Sequence, residues 1–283
     1  MSYPQDQFTS PVKDTLPLIF IIGNSYSGST LLGFILSSSP EVFYLGEIKS
    51  KNWNTSKWCS CGLASAACPF YGYDFDTLNA SRQQAIQPLR MRSPFYFLFT
   101  KKKKLTESQE NALLHLNHEI SRRLKSLSPG VRYWVDSSKS LWMLNAWSQI
   151  IPAENLKILW IRRSMKANIG SFVKRGAGFW PSFLGVVFNQ WMIKKYLAKN
   201  KMPHLVVAYD RFLDNFENEA AAISSFLKIK IEFPETQFRH HHVISGNKVT
   251  RRTFMDAVKG FNTDEEWKTI LTPFQKKIVS WIS

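Results

Sequence analysis

The sequence has little of several features that would place it in a familiar class. Only three of its 283 residues are cysteine, at positions 59, 61 and 68. An odd, clustered set of cysteines is not the even framework of a small disulfide-rich secreted domain. The longest apolar stretch, residues 179–188, is interrupted by Pro181 and Ser182. It is far shorter than the ~20 residues that a membrane span needs.

The first residues also lack the charged start and the apolar segment of a secretory signal peptide, so we expect a cytoplasmic protein. Acidic residues are scarce, since 21 Asp+Glu stand against 37 Lys+Arg and give a net charge of +16. Such a positive field attracts polyanions. A nucleotide with two separate phosphate groups, a nucleic acid and an anionic membrane surface all remain candidates. The length and the 44% of apolar residues are enough for a substantial core, and we expect one domain over residues 1–283.

Short apolar runs alternate with helical patterns along the chain. The clearest run, residues 18–22, is continuously apolar and suits a strand that is buried on both faces. Similar runs lie at residues 42–45, 131–135, 156–161 and 205–209. This β-then-α order predicts an α/β fold, with a P-loop-like, mostly parallel sheet flanked by helices.

A long insert, at about residues 48–130, separates the second and third predicted strands. Thr106 and Gln109 have the spacing of a capping box, which predicts the start of a helix. An aromatic stretch at 94–99, followed by lysines at 101–104, is compatible with peripheral contact to a membrane, although a solvated charge run is the commoner explanation. The apolar stripe of the helix consists of Leu113, Leu116, Ile120, Leu124 and Leu127. We therefore expect a mainly helical insert.

A loop of small and polar residues, 23–30, follows the first strand. Gly28 permits close approach of the backbone, and Ser29 and Thr30 add hydroxyl donors, so the loop and the next helix can wrap an anion. An ordinary Gly/Ser turn is the alternative. The spacing is nearly that of the nucleoside-triphosphate loop, but Ser29 occupies the lysine position. This argues against a kinase or ATPase and suits a donor with a single 5′-phosphate that carries a transferable group.

The run Ser-Gly-Ser-Thr-Leu-Leu at 27–32 resembles the 5′-phosphosulfate loop of sulfotransferases that use 3′-phosphoadenosine-5′-phosphosulfate (PAPS). The resemblance is strongest to the bacterial branch and its tyrosylprotein sulfotransferase relatives. In these families a Gly-Glu pair follows the second strand and its glutamate is the general base, a role that the resemblance gives to Glu47. A solvated loop carboxylate is the alternative for Glu47. The loop residues expected to contact the donor are Tyr26, Ser27, Gly28, Ser29, Thr30 and Leu31.

Tyr26 departs from the family pattern, because relatives carry Arg or Lys there to steady the sulfuryl group. A phenol brings no positive charge, so another cation is needed to balance the leaving phosphate. The segment 136–139 resembles the D-S-S-K segment of bacterial sulfotransferases, which makes Lys139 the candidate for that cation. The alternatives treat Asp136 as the magnesium ligand of a triphosphate enzyme, or as a helix cap beside an exposed Lys139.

Arg163 and Ser171 have the eight-residue spacing of the family's 3′-phosphate motif. Arg175 lies one turn beyond Ser171, where the tyrosylprotein branch uses an arginine, and we expect it on the same helical face. A 3′-phosphate needs a planar donor fork and a hydroxyl, which these residues supply; surface basic residues at a helix start are the alternative. Arg162 is expected to point to the opposite side of the strand.

Two later segments extend the resemblance to about residue 255. The segments at 206–212 and 226–229 are similar to the family's "Y-E-D-L … F-L-G-I" run, which implies that Tyr209 lies near the adenine. The segment 241–252 resembles a late loop that folds over the nucleotide. In that loop Arg251 is the first candidate for a 3′-phosphate contact and Arg252 the reserve.

We expect no metal. His240, His241 and His242 are consecutive and point in different directions. The thiols at 59, 61 and 68 resemble a cysteine cluster of bacterial sulfotransferases. They lack the usual fourth zinc ligand, which favours packing or a redox-sensitive pair over zinc.

The predicted function is transfer of a sulfuryl group from PAPS to a hydroxyl of a small molecule, glycan or lipid, with release of 3′,5′-adenosine bisphosphate. The acceptor itself is left open. The alternative is a degenerate P-loop nucleotide-binding or RNA-binding protein without transfer activity, which Tyr26 would favour. No nucleic-acid partner is expected, because no recognised nucleic-acid motif occurs in the sequence.

Overall fold

Five parallel strands form the centre of the molecule. The computed structural model describes residues 15–54, 58–89, 104–231, 242–246 and 265–282. The strands lie in the order β2-β3-β1-β4-β5, and each pairs in parallel with its neighbours. Their bounds are Leu18–Gly23 (β1), Val42–Tyr44 (β2), Tyr133–Asp136 (β3), Leu156–Arg162 (β4) and His204–Ala208 (β5). The predicted α/β fold with a parallel sheet is confirmed.

Helices flank this sheet. They are Ser29–Leu36 (α1), Phe75–Ile86 (α2), Glu107–Leu127 (α3), Leu141–Ile150 (α4), Met165–Val173 (α5), Phe179–Lys199 (α6), Tyr209–Asp214 (α7), Phe216–Leu227 (α8), Trp267–Ile270 (α9) and Pro273–Ser280 (α10). Short 3₁₀ turns cover Lys51–Asn54, Ser65–Ala67, Gly72–Asp74, Gln87–Leu89 and Ala153–Asn155. In the described part of the chain, no helix has the length and apolar character to cross a bilayer.

Strand β1 is buried along its whole length because both faces of the sheet are covered. Leu18, Phe20 and Ile22 pack into a core that also contains side chains of α4, α6 and the insert. Ile19 and Ile21 face the other way and pack with α1 and α8. Since alternate residues of a strand point to opposite faces, cover on both sides explains the continuous apolar run.

The described parts of the insert are mainly helical, as predicted. The capping box at the start of α3 is present, with hydrogen bonds from Gln109 N to Thr106 Oγ1 (3.3 Å) and from Thr106 N to Gln109 Oε1 (3.1 Å). The predicted apolar stripe is buried from Leu113 to Leu124, but Leu127 is 39% exposed. The prediction is wrong for Leu127 because it is the last residue of α3, and the chain turns into an extended conformation at Ser128. The aromatic stretch at 94–99 and the lysines at 101–103 lie outside the described residues.

The topology brings five loops together at one edge of the sheet. The carboxyl ends of parallel strands all meet at that edge, which is where open α/β sheets bind ligands. After β1 the chain first builds β2 and β3 on one side and then β4 and β5 on the other. The loop after β1 therefore lies at the point where the strand order switches, between the loops that follow β3 and β4.

Candidate functional site

The loop after β1 is shaped by Gly28, which has a left-handed backbone (φ 89°) and caps α1. A Cβ atom at this position would lie 2.1 Å from two ring carbons of Tyr209. Only glycine therefore allows both the backbone conformation and the close approach of this ring. The structure thus places Tyr209 directly against the loop, at the start of α7 and the end of β5.

Three successive carbonyl groups of the loop accept hydrogen bonds from side chains behind it. Ser27 Oγ donates to Asn24 O (2.7 Å), Asn168 Nδ2 donates to Ser25 O (2.7 Å), and Arg163 Nη1 donates to Tyr26 O (3.0 Å). These bonds fix three peptide units of the loop next to the N-terminus of α1, where backbone N–H groups and the helix dipole can together bind an anion.

Glu47 and Lys139 form an ion pair next to Ser29, the first residue of α1. Lys139 Nζ forms an ion pair with Glu47 Oε1 and donates hydrogen bonds to Ser29 Oγ (3.1 Å) and Ser137 O (3.2 Å). The side chain of Lys139 is only 9% exposed and that of Glu47 only 22%. The alternative readings of a solvated Glu47 and an exposed Lys139 are therefore wrong. Lys139 also has a left-handed backbone (φ 57°), a conformation that costs a residue with a side chain about 1–3 kcal/mol.

The backbone of Glu47 is fixed by residues from other parts of the chain. Its N–H donates to Ser245 Oγ (2.7 Å), and its carbonyl accepts from Ser245 Oγ (3.1 Å) and Trp53 Nε1 (3.2 Å). The next carbonyl, of Ile48, accepts from the buried Arg82 guanidinium (3.0 Å). The insert and the late segment 242–246 thus hold the loop after β2 from two sides.

Asp136 is fully buried and accepts hydrogen bonds from four groups: Ser138 N (2.9 Å), Ser138 Oγ (2.5 Å), Ile48 N (3.3 Å) and Trp147 Nε1 (3.1 Å). Burial raises the pKa of Asp136 to about 6, and the hydrogen bonds from Ser138 and Trp147 oppose that rise. It is not a helix cap, since Ser140 precedes α4. Its carboxylate connects the loop after β2 to β3 and α4, which is a structural role.

The second predicted cluster also assembles. Arg163 Nη1 donates to Ser171 Oγ (3.2 Å), and Arg175 Nη1 donates to the Ser171 carbonyl (2.8 Å). The Arg163 guanidinium lies 5.1 Å from the centre of the Tyr209 ring. The neighbouring Arg162 stacks instead on Trp160, at 5.4 Å. Two guanidinium groups and one hydroxyl thus converge on the β4 side of the loop at 23–30, called the phosphate loop below after the motif that its sequence resembles.

Arg175 reaches this cluster from a different backbone position than predicted. Helix α5 ends at Val173, so Arg175 lies in the following turn and not on the helical face of Ser171. The helix ends because Gly176 adopts a left-handed conformation (φ 87°), with Gly176 N bonded to Val173 O (2.9 Å). The Arg175 side chain folds back over the helix end.

Tyr26 lies on the same side as the two arginines. Its ring centre is 4.2 Å from the Arg175 guanidinium and 4.8 Å from the Phe172 ring. Its backbone is left-handed (φ 62°). Tyr26 therefore supports an arginine of the second cluster, whereas Lys139 contacts the first residue of α1.

The other predicted residues have mixed outcomes. Ser27 and Leu31 are buried with their side chains turned inward, so any donor contact from them is through the backbone. Gly246 approaches the phosphate loop, since a Cβ there would lie 3.2 Å from Thr30 Oγ1. The late segment thus reaches the loop after β1, while its predicted cover of the nucleotide stays a prediction. Arg251, Arg252, His240 and His241 lie outside the described residues.

Four residues contribute to the site or its support in ways that were not predicted from the sequence: Asn168, Asn189, Ser245 and His242. Asn168 had a detectable signal, because it lies three residues before Ser171 and so on the same helical face. Asn189 Nδ2 holds the Asn24 side chain (2.6 Å) across 165 residues of sequence, a contact that no local pattern encodes. His242 was considered, but not as a partner of the cysteines: Cys59, Cys61, Cys68 and His242 form one cluster.

Comparison with known proteins places this fold. No protein-family model and no curated protein matches the chain. Among solved structures, the sulfotransferase domain from the Synechococcus PCC 7002 olefin synthase aligns with 100% of this chain and 98% of its own length, with a TM-score of 0.53 and 15% identity. The sulfotransferase domain from the curacin biosynthetic pathway aligns over 94% of this chain and 97% of its own length, with a TM-score of 0.52 and 15% identity. The chain has the fold of these sulfotransferase domains.

Proposed function

We propose that this chain, which has the sulfotransferase fold, transfers a sulfuryl group from PAPS to a hydroxyl acceptor. The observation that carries the proposal is the position of Lys139, whose ammonium contacts both Glu47 and Ser29 of the phosphate loop. A carboxylate and a cation at the mouth of an anion-binding loop suit a reaction in which a hydroxyl loses a proton and an anionic group departs.

Each part of the donor has a matching group of residues. The loop at 24–30 and the N-terminus of α1 would hold the 5′-phosphosulfate. Arg163, Ser171 and Arg175 would hold the 3′-phosphate, because a guanidinium fork and a hydroxyl match its oxygens. Tyr209 lies next to both groups of residues, with its ring against Gly28 and the Arg163 guanidinium. The ring would therefore lie near the phosphates of the donor as well as near the adenine.

In the proposed reaction, Glu47 acts on the acceptor hydroxyl, and Lys139, Ser29 and the loop act on the leaving 5′-phosphate. Glu47 accepts the proton of the acceptor hydroxyl, and the acceptor oxygen forms a bond to sulfur. The bond between sulfur and the bridging oxygen of the 5′-phosphate breaks, and the electron pair stays on the phosphate. Lys139, Ser29 and the amides of the loop stabilise the charge that develops there, and 3′,5′-adenosine bisphosphate is released.

The acceptor is proposed as a hydroxyl of a small molecule, glycan or lipid. Phe179 and Phe183, at the start of α6, are buried in a small core with Met165 and Leu271, so these rings serve packing. They give no support to an apolar acceptor. Peripheral contact with a membrane rests on residues outside those that the structure describes.

Calorimetric titration of the full chain tests the donor assignment. We expect tight binding of 3′,5′-adenosine bisphosphate and much weaker binding of 5′-AMP, ATP and single-stranded RNA. The reason is that Arg163, Ser171 and Arg175 would bind a 3′-phosphate, which those three ligands lack in a matching position. Equal affinity for the bisphosphate and 5′-AMP would contradict the assignment, and preference for RNA would favour the RNA-binding alternative.

Transfer is tested with PAPS and a panel of phenols, aliphatic alcohols, glycans and lipids, with mass spectrometry to detect the added sulfuryl group. Sulfation of at least one acceptor class together with release of the bisphosphate is the expected result. Tight binding of the bisphosphate without transfer to any acceptor or to water would point to the degenerate nucleotide-binding protein.

A further inference from the structure

Four side chains that commonly bind metals converge outside the site described above. They are Cys59, Cys61 and Cys68 from the insert and His242 from the late segment. Their Sγ and Nδ1 or Nε2 atoms all lie within 4.8 Å of one another. We propose that these residues form a structural zinc site that fastens the late segment to the insert. The proposal goes beyond the proposed transfer reaction and does not depend on it.

The spacing of the four donor atoms fits one tetrahedral ion. His242 Nδ1 lies 3.0 Å from Cys68 Sγ and 3.9 Å from Cys59 Sγ. With Zn–S and Zn–N bonds of ~2.3 and ~2.0 Å, ligand atoms of a tetrahedron lie roughly 3.5–3.8 Å apart. The four atoms need to move by only about 1 Å to reach that geometry. Three thiolates and one imidazole in a tetrahedron are a set that zinc binds in structural sites.

Backbone N–H groups lie where thiolate ligands need them. The N–H of Cys61 hydrogen-bonds to the Cys59 sulfur, that of Leu63 to the Cys61 sulfur, and that of Tyr71 to the Cys68 sulfur. Hydrogen bonds of this kind orient the ligands of a metal site. The local fold of the insert thus sets the direction of all three sulfurs.

Burial argues against the simpler alternatives. Cys59, Cys68 and His242 are 2%, 1% and 9% exposed, so a redox partner protein has little access to them. A redox pair would use two sulfurs and would leave the third sulfur and the imidazole unexplained. A packing role accounts for the apolar core around Cys59 and Cys68, but it does not account for the imidazole nitrogen that points at their sulfurs. One ion explains all four groups together.

In the sequence the three thiols lack a fourth zinc ligand nearby, and the structure supplies one in His242. His242 is 174 residues away from Cys68, and chain folding alone brings it into place. Further contacts hold the same two segments together: Ser60 N donates to Val243 O (3.0 Å), Val243 N to Ser60 Oγ (2.8 Å), and Tyr71 OH to His242 O (2.9 Å). The ion would stabilise the contact between the insert and the late segment that these hydrogen bonds already form.

The site connects to Glu47 through a short path. Ser245, three residues after His242, bonds both the N–H and the carbonyl of Glu47. Fixing His242 to the insert therefore fixes Ser245 against the loop after β2. We expect zinc to act on Glu47 only by holding this backbone, since the ligands do not include Glu47.

Metal analysis of the full chain tests the site directly. Protein purified without chelators from zinc-supplemented cells is expected to contain one zinc ion per chain. After chelation, the same protein should bind one Co²⁺ and show the visible absorption of a tetrahedral site with thiolate ligands. Both readouts are independent of donor binding and transfer.

Substitutions assign the ligands. Cys68→Ser and His242→Ala should each lose most of the bound metal, whereas His115→Ala, an exposed histidine of α3, should keep it. If the ligand variants fail to fold, the unmodified chain remains informative: a mercurial thiol reagent should release one zinc ion as the three thiols react. In hydrogen–deuterium exchange, zinc removal should increase exchange at residues 242–246 and around Glu47 more than in α8.

Several results would overturn the proposal. One is a folded chain that carries no zinc and takes up no Co²⁺ after reduction. Another is a disulfide between Cys59 and Cys68 in protein kept under reducing conditions, which would identify a thiol pair instead. Retention of a full equivalent of zinc by His242→Ala would remove the late segment from the site.

Discussion

The two sides of the phosphate loop hold their cations in different ways. On the β3 side, Lys139 is 9% exposed and paired with the carboxylate of Glu47. On the β4 side, the exposed Arg175 and the half-buried Arg163 are held by a serine and by the rings of Tyr26 and Tyr209. One side combines a carboxylate with a cation, and the other presents two guanidinium groups that lie against aromatic rings.

The difference implies separate roles for the two sides in the proposed reaction. Charge interactions are stronger where water is excluded, so the buried pair is suited to charge that develops during the reaction. Planar guanidinium groups on rings are suited to bind a phosphate whose charge does not change. We therefore expect substitutions on the β3 side to lower turnover and those on the β4 side to weaken nucleotide binding.

The largest expected effect is that of Glu47→Gln. The amide keeps the shape but is a very poor proton acceptor, so turnover with the best acceptor of the panel should fall by ~10²–10⁴-fold. Affinity for 3′,5′-adenosine bisphosphate, measured by calorimetry, should change little. Glu41→Gln is the matched control, because Glu41 pairs with Arg132 on the surface before β2. Unchanged turnover in Glu47→Gln would make Glu47 structural.

Lys139→Met should have the next largest effect. Loss of the ammonium that contacts Ser29 should reduce turnover by ~10²–10³-fold, the usual cost of removing one donor to a developing charge. The bisphosphate should bind less than about tenfold more weakly, because the charge that Lys139 balances grows mainly in the transition state. Lys125→Met, at the exposed end of α3, is the control. If Lys139→Met lost as much affinity for the bisphosphate as turnover, Lys139 would serve binding as the arginines do, and the proposed difference between the two sides would be wrong.

Arg163→Ala tests the other side. A charge-assisted hydrogen bond contributes about 1.5–3 kcal/mol, so the bisphosphate should bind about 10- to 150-fold more weakly. Binding of 5′-AMP should hardly change, because it has no 3′-phosphate. The neighbouring Arg162→Ala, which loses only its stacking on Trp160, should leave both affinities intact. A parallel loss of 5′-AMP affinity would show that Arg163 acts through the phosphate loop, by its bond to Tyr26 O.

The smallest effect is expected at Tyr26. Tyr26→Leu removes the ring beneath Arg175, and an exposed cation–π contact contributes about 0.5–1 kcal/mol. Affinity for the bisphosphate should therefore fall only about two- to fivefold. Tyr26→Phe keeps the ring and should match the unmodified chain. If Tyr26→Phe loses as much as Tyr26→Leu, the phenol hydroxyl and not the ring is the functional group.

Much of the fold could be predicted because its signals are local. The continuous apolar run of β1, the capping box of α3 and the glycine of the phosphate loop each depend on neighbours within a few residues. The pairing of Arg163 with Ser171 was also predictable, since strand end and helix lie next to each other in the chain. The end of α5 was not, because the left-handed Gly176 stops the helix before Arg175.

Local patterns in the chain were enough to predict the parallel α/β sheet, a candidate anion-binding loop after β1, and Glu47 and Lys139 as candidate residues. Tertiary packing set which groups meet. It paired Lys139 with Glu47, turned Tyr26 toward Arg175, placed Ser245 under Glu47 and brought His242 to three cysteines. Local patterns reflect interactions between residues close in the chain, whereas these contacts join segments that are 92 to 198 residues apart or depend on backbone conformations that only the packed molecule can stabilise.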